Sequence, residues 1–114
     1  MARNESLKQG ELTDTMYYIL ITLLQPMHGY AIMQAIEKMT NGTLKIGPAS
    51  MYTTLKKLKT KELIVEKLEE NNKKVYLISN YGKTVLQKEV VRREMMVQHG
   101  KIALEGNINE EKME

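Results

Sequence analysis

The sequence predicts a mainly α-helical fold carrying one small β-hairpin. Three observations predict it. Apolar residues recur at helical spacing in three stretches before residue 60. Two short β-prone runs, 63–68 and 75–78, then flank a polar tip. Last, a proline-free stretch from Tyr81 to about Leu104 again carries apolar residues at helical spacing.

Residues 1–11 are polar and read as a flexible arm in which Arg3 and Lys8 supply positive charge. A first helix is expected from Leu12 or Thr13 to Leu24 or Gln25, with Met16, Ile19, Leu20, Leu23 and Leu24 as its core stripe. Tyr17, Tyr18 and Ile21 make the remaining surface apolar too, and such a helix is buried on two sides. In a small domain that points to a subunit interface. Pro26 disfavours helical backbone at the residue before it. His28-Gly29 reads as a short turn, with local hydrogen bonding or capping as the role of His28. A second helix follows from Tyr30 to Met39, with Ile32, Ala35, Ile36 and Met39 on one face, and Asn41-Gly42 stops it. Thr43–Ile46 is short and β-compatible, and one brief strand is expected there.

The stretch Gly47–Leu63 carries the most information about function. Pro48 suits the first turn of a helix, and Met51, Leu55 and Leu58 form its apolar face. The other face carries Ser50, Thr53, Thr54, Lys56, Lys57, Thr60 and Lys61. Between Lys45 and Lys61 stand five lysines and no acid. Hydroxyls near the start and lysines further on suit a polyanion. Ser50, Thr53 and Thr54 are the candidates for base edges; Tyr52, Lys56, Lys57 and Lys61 are the candidates for phosphates. A hairpin directly after such a helix is the winged helix-turn-helix arrangement. Asn72, Lys73 and Lys74 at the tip suit contact with flanking phosphate, whereas Glu69 and Glu70 beside it suit a plain solvated loop.

Ser79 or Asn80 is expected to cap the fourth helix, Tyr81 to about Leu104. Gly82 is tolerable in its first turn, and Gly100 allows a kink or an end. Val85, Leu86, Val90, Val91, Met95, Met96 and Val97 make this helix too apolar to stand alone. Coiled-coil-like pairing with a second copy would bury it. From Glu105 onward the chain is acidic and without periodicity, and disorder is expected. The domain reading is therefore a DNA-binding winged helix-turn-helix over 1–79, a C-terminal dimerisation helix over 80–104 and an acidic tail over 105–114.

Composition narrows the function classes. There is no cysteine, so disulfides and thiolate metal sites are out. The two histidines, His28 and His99, have no nucleophile or ligand set beside them in sequence, and no Gly-rich phosphate loop occurs. Neither an enzyme nor a cofactor or metal is expected. No apolar run approaches the ~20 residues of a membrane span. The first twelve residues lack the apolar core of a secretory signal, which points to the cytoplasm. The net charge is +3, with −3 concentrated in the last ten residues, so residues 1–104 carry +6. Such a basic body fits a nucleic acid or an acidic membrane surface.

The ordered set His28-Gly29-Tyr30, Ser50-Met51-Tyr52, Leu55-Lys56-Lys57-Leu58, Tyr76-Leu77-Ile78-Ser79 and Gly82 resembles the PadR-type transcriptional regulators, in their compact form, over about residues 12–90. The resemblance implies a winged-helix homodimer, usually a repressor, on a pseudo-palindromic double-stranded operator. It places Ser50, Tyr52, Thr53 and Lys57 on the DNA-facing helix and Lys73 and Lys74 on a basic wing. It also implies that a small aromatic molecule can bind between subunits in some members. Met16, Tyr17, Leu20, Leu86, Val90, Arg93 and Val97 would then line a seam cavity or simply pack the interface. Two departures stand out. Glu62 replaces the usual glycine before the wing, so a less sharp turn is expected there. Multidrug-sensing members carry a tryptophan near the position of Arg93, and this chain has none, which excludes a tryptophan sandwich. The competing reading is a winged-helix protein-interaction module without DNA readout, motivated by Glu62, Glu66, Glu69 and Glu70.

Overall fold

In the computed structural model, α1 spans Asp14–Thr22. Thr13 caps it: its Oγ1 accepts the backbone N–H of Met16 at 3.1 Å. The structure describes residues 12–69 and 71–113, so the arm 1–11 with Arg3 and Lys8, and Glu70 beside the wing tip, lie outside the described residues. α1 ends earlier than its apolar pattern suggests. Leu24 and Gln25 donate to the carbonyls of Ile21 and Thr22, three residues back, as the chain tightens ahead of Pro26. Leu24 is consequently exposed. Thr22 is buried instead, its hydroxyl donating to the Ile19 carbonyl at 2.8 Å.

After α1 come β1 (Met27–His28), α2 (Gly29–Met39), α3 (Pro48–Thr60), β2 (Ile64–Leu68), β3 (Lys74–Ile78) and α4 (Asn80–Met113). The strands form one antiparallel sheet in the order β1-β3-β2. β2 and β3 make the expected hairpin, pairing Ile64 with Ile78 and Leu68 with Lys74. Two expectations need correction. The His28-Gly29 turn contains a strand residue, because Met27 and His28 pair with Tyr76 and Val75 on the open edge of β3. Thr43–Ile46 forms no strand. Its backbone bonds are local, with Leu44 N–H given to Thr40 Oγ1 and Thr43 N–H to the Thr40 carbonyl, while Leu44 and Ile46 turn inward onto the core.

The core lies where the three short helices meet the sheet. Ile19, Leu20 and Leu23 of α1 meet Ile32 and Ile36 of α2, Met51, Leu55 and Leu58 of α3, and Tyr76 and Ile78 of β3. The periodicity of these residues is what places the polar face of α3 outward. Met39, counted in the stripe of α2, sits at the end of the helix and is exposed.

The end of α3 is sharply defined. Leu63 N–H reaches the Leu58 carbonyl at 2.9 Å, and Glu62 N–H reaches that of Lys59 at 3.0 Å. This is the double-bonded C-terminal cap that needs a left-handed residue. Glu62 supplies it with φ +64°. The turn is therefore as sharp as a glycine would make it, contrary to expectation, because buried Leu58 and Leu63 hold the cap together.

The Glu62 and Leu63 carbonyls then receive the start of α4. Ser79 Oγ donates to the Glu62 carbonyl at 2.7 Å and accepts Gly82 N–H at 2.9 Å. Ser79 N–H donates to the Leu63 carbonyl at 3.0 Å. Ser79 is thus the expected cap, and it also ties α3 to α4. Gly82 is more than tolerable here, because a Cβ on it would collide with the Leu63 carbonyl oxygen. α4 runs for 34 residues, past Gly100 and through the acidic stretch expected to be disordered. Lys101, Ala103, Leu104 and Glu105 are strong helix formers that carry it onward.

Two substitutions test this junction by urea unfolding. Gly82→Ala is expected to cost about 3 kcal/mol or more, since backbone must move. Glu62→Gly is expected to gain about 1 kcal/mol by removing left-handed strain. An unchanged midpoint for Gly82→Ala would contradict the contact.

Candidate nucleic-acid interface

The outward face of α3 begins at an unusual N-terminus. Gly47 occupies the cap position without a side chain to offer, Pro48 follows, and the first turn holds no acid. The positive end of the helix dipole is therefore left for an anion. Ser50, Tyr52, Thr53, Lys56 and Lys57 are exposed along this face. Thr54 is half-buried, and its hydroxyl donates back to the Ser50 carbonyl at 2.8 Å. That bond uses its proton and leaves only lone pairs for a base edge. Lys61, at the C-terminal cap, is half-buried and the least outward of the expected phosphate lysines.

Grooves flank the face on both sides. On the wing side, a cleft of about 540 Å³ brings Tyr52 together with Asn72, Lys73 and Lys74. It also contains His28 and Tyr30, which the sequence reading left out of the site. On the α1 side, a groove of about 380 Å³ gathers Ser50, Thr54 and Lys57 with Thr13, Thr15 and Lys45. Thr53 and Lys56 line neither groove. A signal for Tyr30 exists in the sequence, because it falls off the Ile32, Ile36 stripe at the start of α2.

Local contacts explain the shape of the wing-side cleft. A Cβ on buried Gly29 would lie 2.5 Å from Tyr52 Oη, so only a glycine lets the Tyr52 ring rest against the start of α2. Tyr76 is buried beneath. Burial first, then the charges near Glu66 and Tyr52, push its phenol above the ordinary range. The wing tip turns at Asn72, with φ +63°, and Asn71 Oδ1 accepts Lys73 N–H at 3.2 Å. His28 makes no cap bond to α2. Its ring faces the wing instead, with Nδ1 3.0 Å from the Lys74 carbonyl and Nε2 3.2 Å from Glu69 Oε1. Glu66 lies 3.3 Å from Lys59 Nζ and 3.9 Å from Lys74 Nζ. Lys74 is therefore drawn back from the tip, and Lys73 is the better placed of the two.

The residues expected at a seam divide sharply. Met16, Leu20 and Leu86 are buried in the core of a single chain, and Met16 also borders the α1-side groove. Tyr17 is half-buried, and Val90 and Val97 are exposed on α4, as are Val91, Met95 and Met96. Arg93 turns back onto α1. Its Nη1 donates to Asp14 Oδ1 at 2.8 Å, its Nη2 to the Leu12 carbonyl at 3.1 Å, and its Cζ lies 4.3 Å over the Tyr17 ring. Glu89, absent from the sequence reading, holds it there. Its carboxylate is only 5% exposed and accepts both Arg92 and Arg93, each at 2.6 Å. Hydrogen bonding from Arg92, resisted by burial and joined by Arg93, holds the Glu89 carboxyl below its usual range. Among the described residues, no group of His, Asp or Glu could hold a metal ion, and no helix is long and apolar enough to cross a membrane.

The chain is similar to known proteins in sequence and in fold. Residues 18–88 match the model of the transcriptional regulator PadR-like family. The transcriptional regulator YqjI of Escherichia coli is 33% identical over 69 residues, covering 60% of this chain and 33% of that protein. An uncharacterized 37.1 kDa protein in a transposon of Streptomyces fradiae is 31% identical over 77 residues, which are 67% of this chain and 22% of its own length. The chain thus spans a third or less of these curated relatives. Among solved structures, a transcriptional regulator from Clostridium thermocellum superposes with a TM-score of 0.67 at 20% identity, covering 72% of this chain and 84% of that one. Bacillus subtilis PadR in complex with operator DNA gives 0.58 at 22% identity, covering 68% and 47%.

The Glu89 cluster makes a pH prediction. A carboxyl with a lowered folded pKa contributes its stability fully above the ordinary carboxyl range and loses it as pH falls through the lowered value. Glu89→Ala is expected to cost about 3 kcal/mol at neutral pH, because two arginines lose their partner. Urea unfolding in strong acid should show the gap to wild type narrowing; a gap that stays constant would remove the ionic account.

Proposed function

The chain belongs to the PadR-like family of transcriptional regulators, and from that premise we propose that it is a repressor binding a pseudo-palindromic double-stranded operator as a homodimer. The observation that carries the proposal is the outward face of α3 between its two flanking grooves. That face enters the major groove, with Ser50 and Thr53 at base edges. The grooves receive the two phosphate strands, Tyr52, Lys73 and Tyr30 on one side and Lys57 and Lys45 on the other. Lys56 and Lys61 add positive charge along the helix.

Dimerisation through α4 is the second part. Val90, Val91, Met95, Met96, Val97, Ile102 and Leu104 are exposed on it. Spread around the helix, so many large apolar side chains would be a liability on a monomer, and a second copy would bury those that face it. A small aromatic effector at the seam would meet Tyr17, Val90 and Val97, since Arg93 is already committed to its own chain.

The interaction-module reading drew on acids around the wing. Glu66 is engaged by Lys59 and Lys74, and Glu69 by His28. Acids used internally offer little to a protein partner, which favours the DNA reading.

The test is DNA selection with the purified chain, followed by affinity measurements across salt. Lys57→Ala and Lys73→Ala should each weaken binding to all sequences and lower the salt slope by about 1. Ser50→Ala should cost about 1–3 kcal/mol on the preferred site only. Light scattering is expected to give twice the 13.2 kDa chain mass. Salt-insensitive binding, or a single-chain mass at micromolar concentration, would refute the corresponding part.

A further inference from the structure

Away from the basic face, one charge cluster joins α4 to the body that carries α3. Glu89 is buried on α4 and grips Arg93, which then leaves its own helix for the start of α1. Three separate acceptors hold the planar guanidinium: Glu89 Oε2 at Nε, Asp14 Oδ1 at Nη1 and the Leu12 carbonyl at Nη2. The Tyr17 ring covers one of its faces. A fork fixed in its plane by three partners and stacked on a ring cannot swing without losing several contacts together. All the α1-side partners sit at or just before the first turn of that helix. α1 packs in turn on α2 and α3.

We propose that Arg93 is a positioning residue that sets the angle between α4 and the reading face of α3, and thereby the separation of the two reading faces in the dimer. This rests on the homodimer reading above. The leverage is large. Over an arm of roughly 20 Å, a change of about 10° moves the reading face by about 3.5 Å, one base-pair step. The clamp therefore selects half-site spacing while touching no DNA.

The chain has no cysteine, so Lys56→Cys places a single nitroxide on α3 of each protomer. Pulsed electron spin resonance on the DNA-free dimer then reads the separation of the faces directly. Against the Lys56→Cys background, a narrow distance distribution is expected. Adding Arg93→Ala should widen it by about 3.5 Å or more, one base-pair step. Arg93→Lys should widen it nearly as much, because an ammonium keeps the charge but not the planar fork. A merely electrostatic role would be rescued by that variant. Asp14→Ala should widen it less. The Asp14 side chain is 80% exposed, so this variant removes one contact without disturbing the core. Unchanged widths in all three variants, with spin coupling intact, would overturn the proposal and leave the dimer reading standing. Absence of inter-label coupling in the background protein would instead defeat the dimer reading, and this proposal with it.

Discussion

The carbonyl of Leu63 is the tightest constraint in the molecule. It accepts Ser79 N–H at 3.0 Å, while the first turn of α4 comes so close that Gly82 has no room for a Cβ. The neighbouring carbonyl of Glu62 takes the Ser79 hydroxyl. One residue earlier, Ile78 N–H reaches back to the Leu23 carbonyl at the end of α1. The end of α3, the return strand of the wing, the end of α1 and the start of α4 therefore meet within a few residues. Each supplies the hydrogen-bond partner that a chain end would otherwise lack. The relation between a basic helix and its wing follows from that meeting.

Charge is arranged with the same economy. Two of the acids that motivated the interaction-module reading, Glu66 and Glu69, are engaged inside the protein, and so is Glu89 on α4. Glu66 draws Lys59 and Lys74 back along the hairpin, Glu69 meets His28, and Glu89 is enclosed by two arginines. Ser50, Thr53, Lys56, Lys57 and Lys73 remain exposed, and among the described residues no carboxylate pairs with them. Net charge describes the chain poorly because it does not say which charges are already spoken for.

Much of this was legible in the sequence. The apolar stripes of α1, α2 and α3 come from local periodicity, and the hairpin from two β-prone runs around a polar tip. Gly82, Ser79 and Tyr52 could be picked out by their place in a familiar order. The failures share a cause. β1 exists because the edge of β3 offers it a partner far away in sequence. Thr43–Ile46 stays irregular because its side chains find the core while its backbone bonds to Thr40. Glu62 accepts a left-handed turn because Leu58 and Leu63 are buried around it. Glu89 looks like one more surface carboxylate of a charged helix until Arg92 and Arg93 close over it. In each case burial or a tertiary partner decides, and a periodicity records neither. For the candidate site, the polar face of α3 could be read from periodicity, but the placing of Tyr52 in one groove and of Ser50, Thr54 and Lys57 in the other could not.

The resting place of Tyr52 against Gly29 bears on how such a protein could be rewritten. A helix turns by about 100° per residue, so slipping its rotation by one position would exchange every outward side chain. The tyrosine lodged at the glycine acts as a detent against that slip, together with Met51, Leu55 and Leu58 beneath. Ser50, Thr53, Lys56 and Lys57 are then free of structural duty. On the proposed DNA-binding role they form an interchangeable inscription on a fixed shaft, and new readings could be introduced there by library selection without re-engineering the scaffold that holds them.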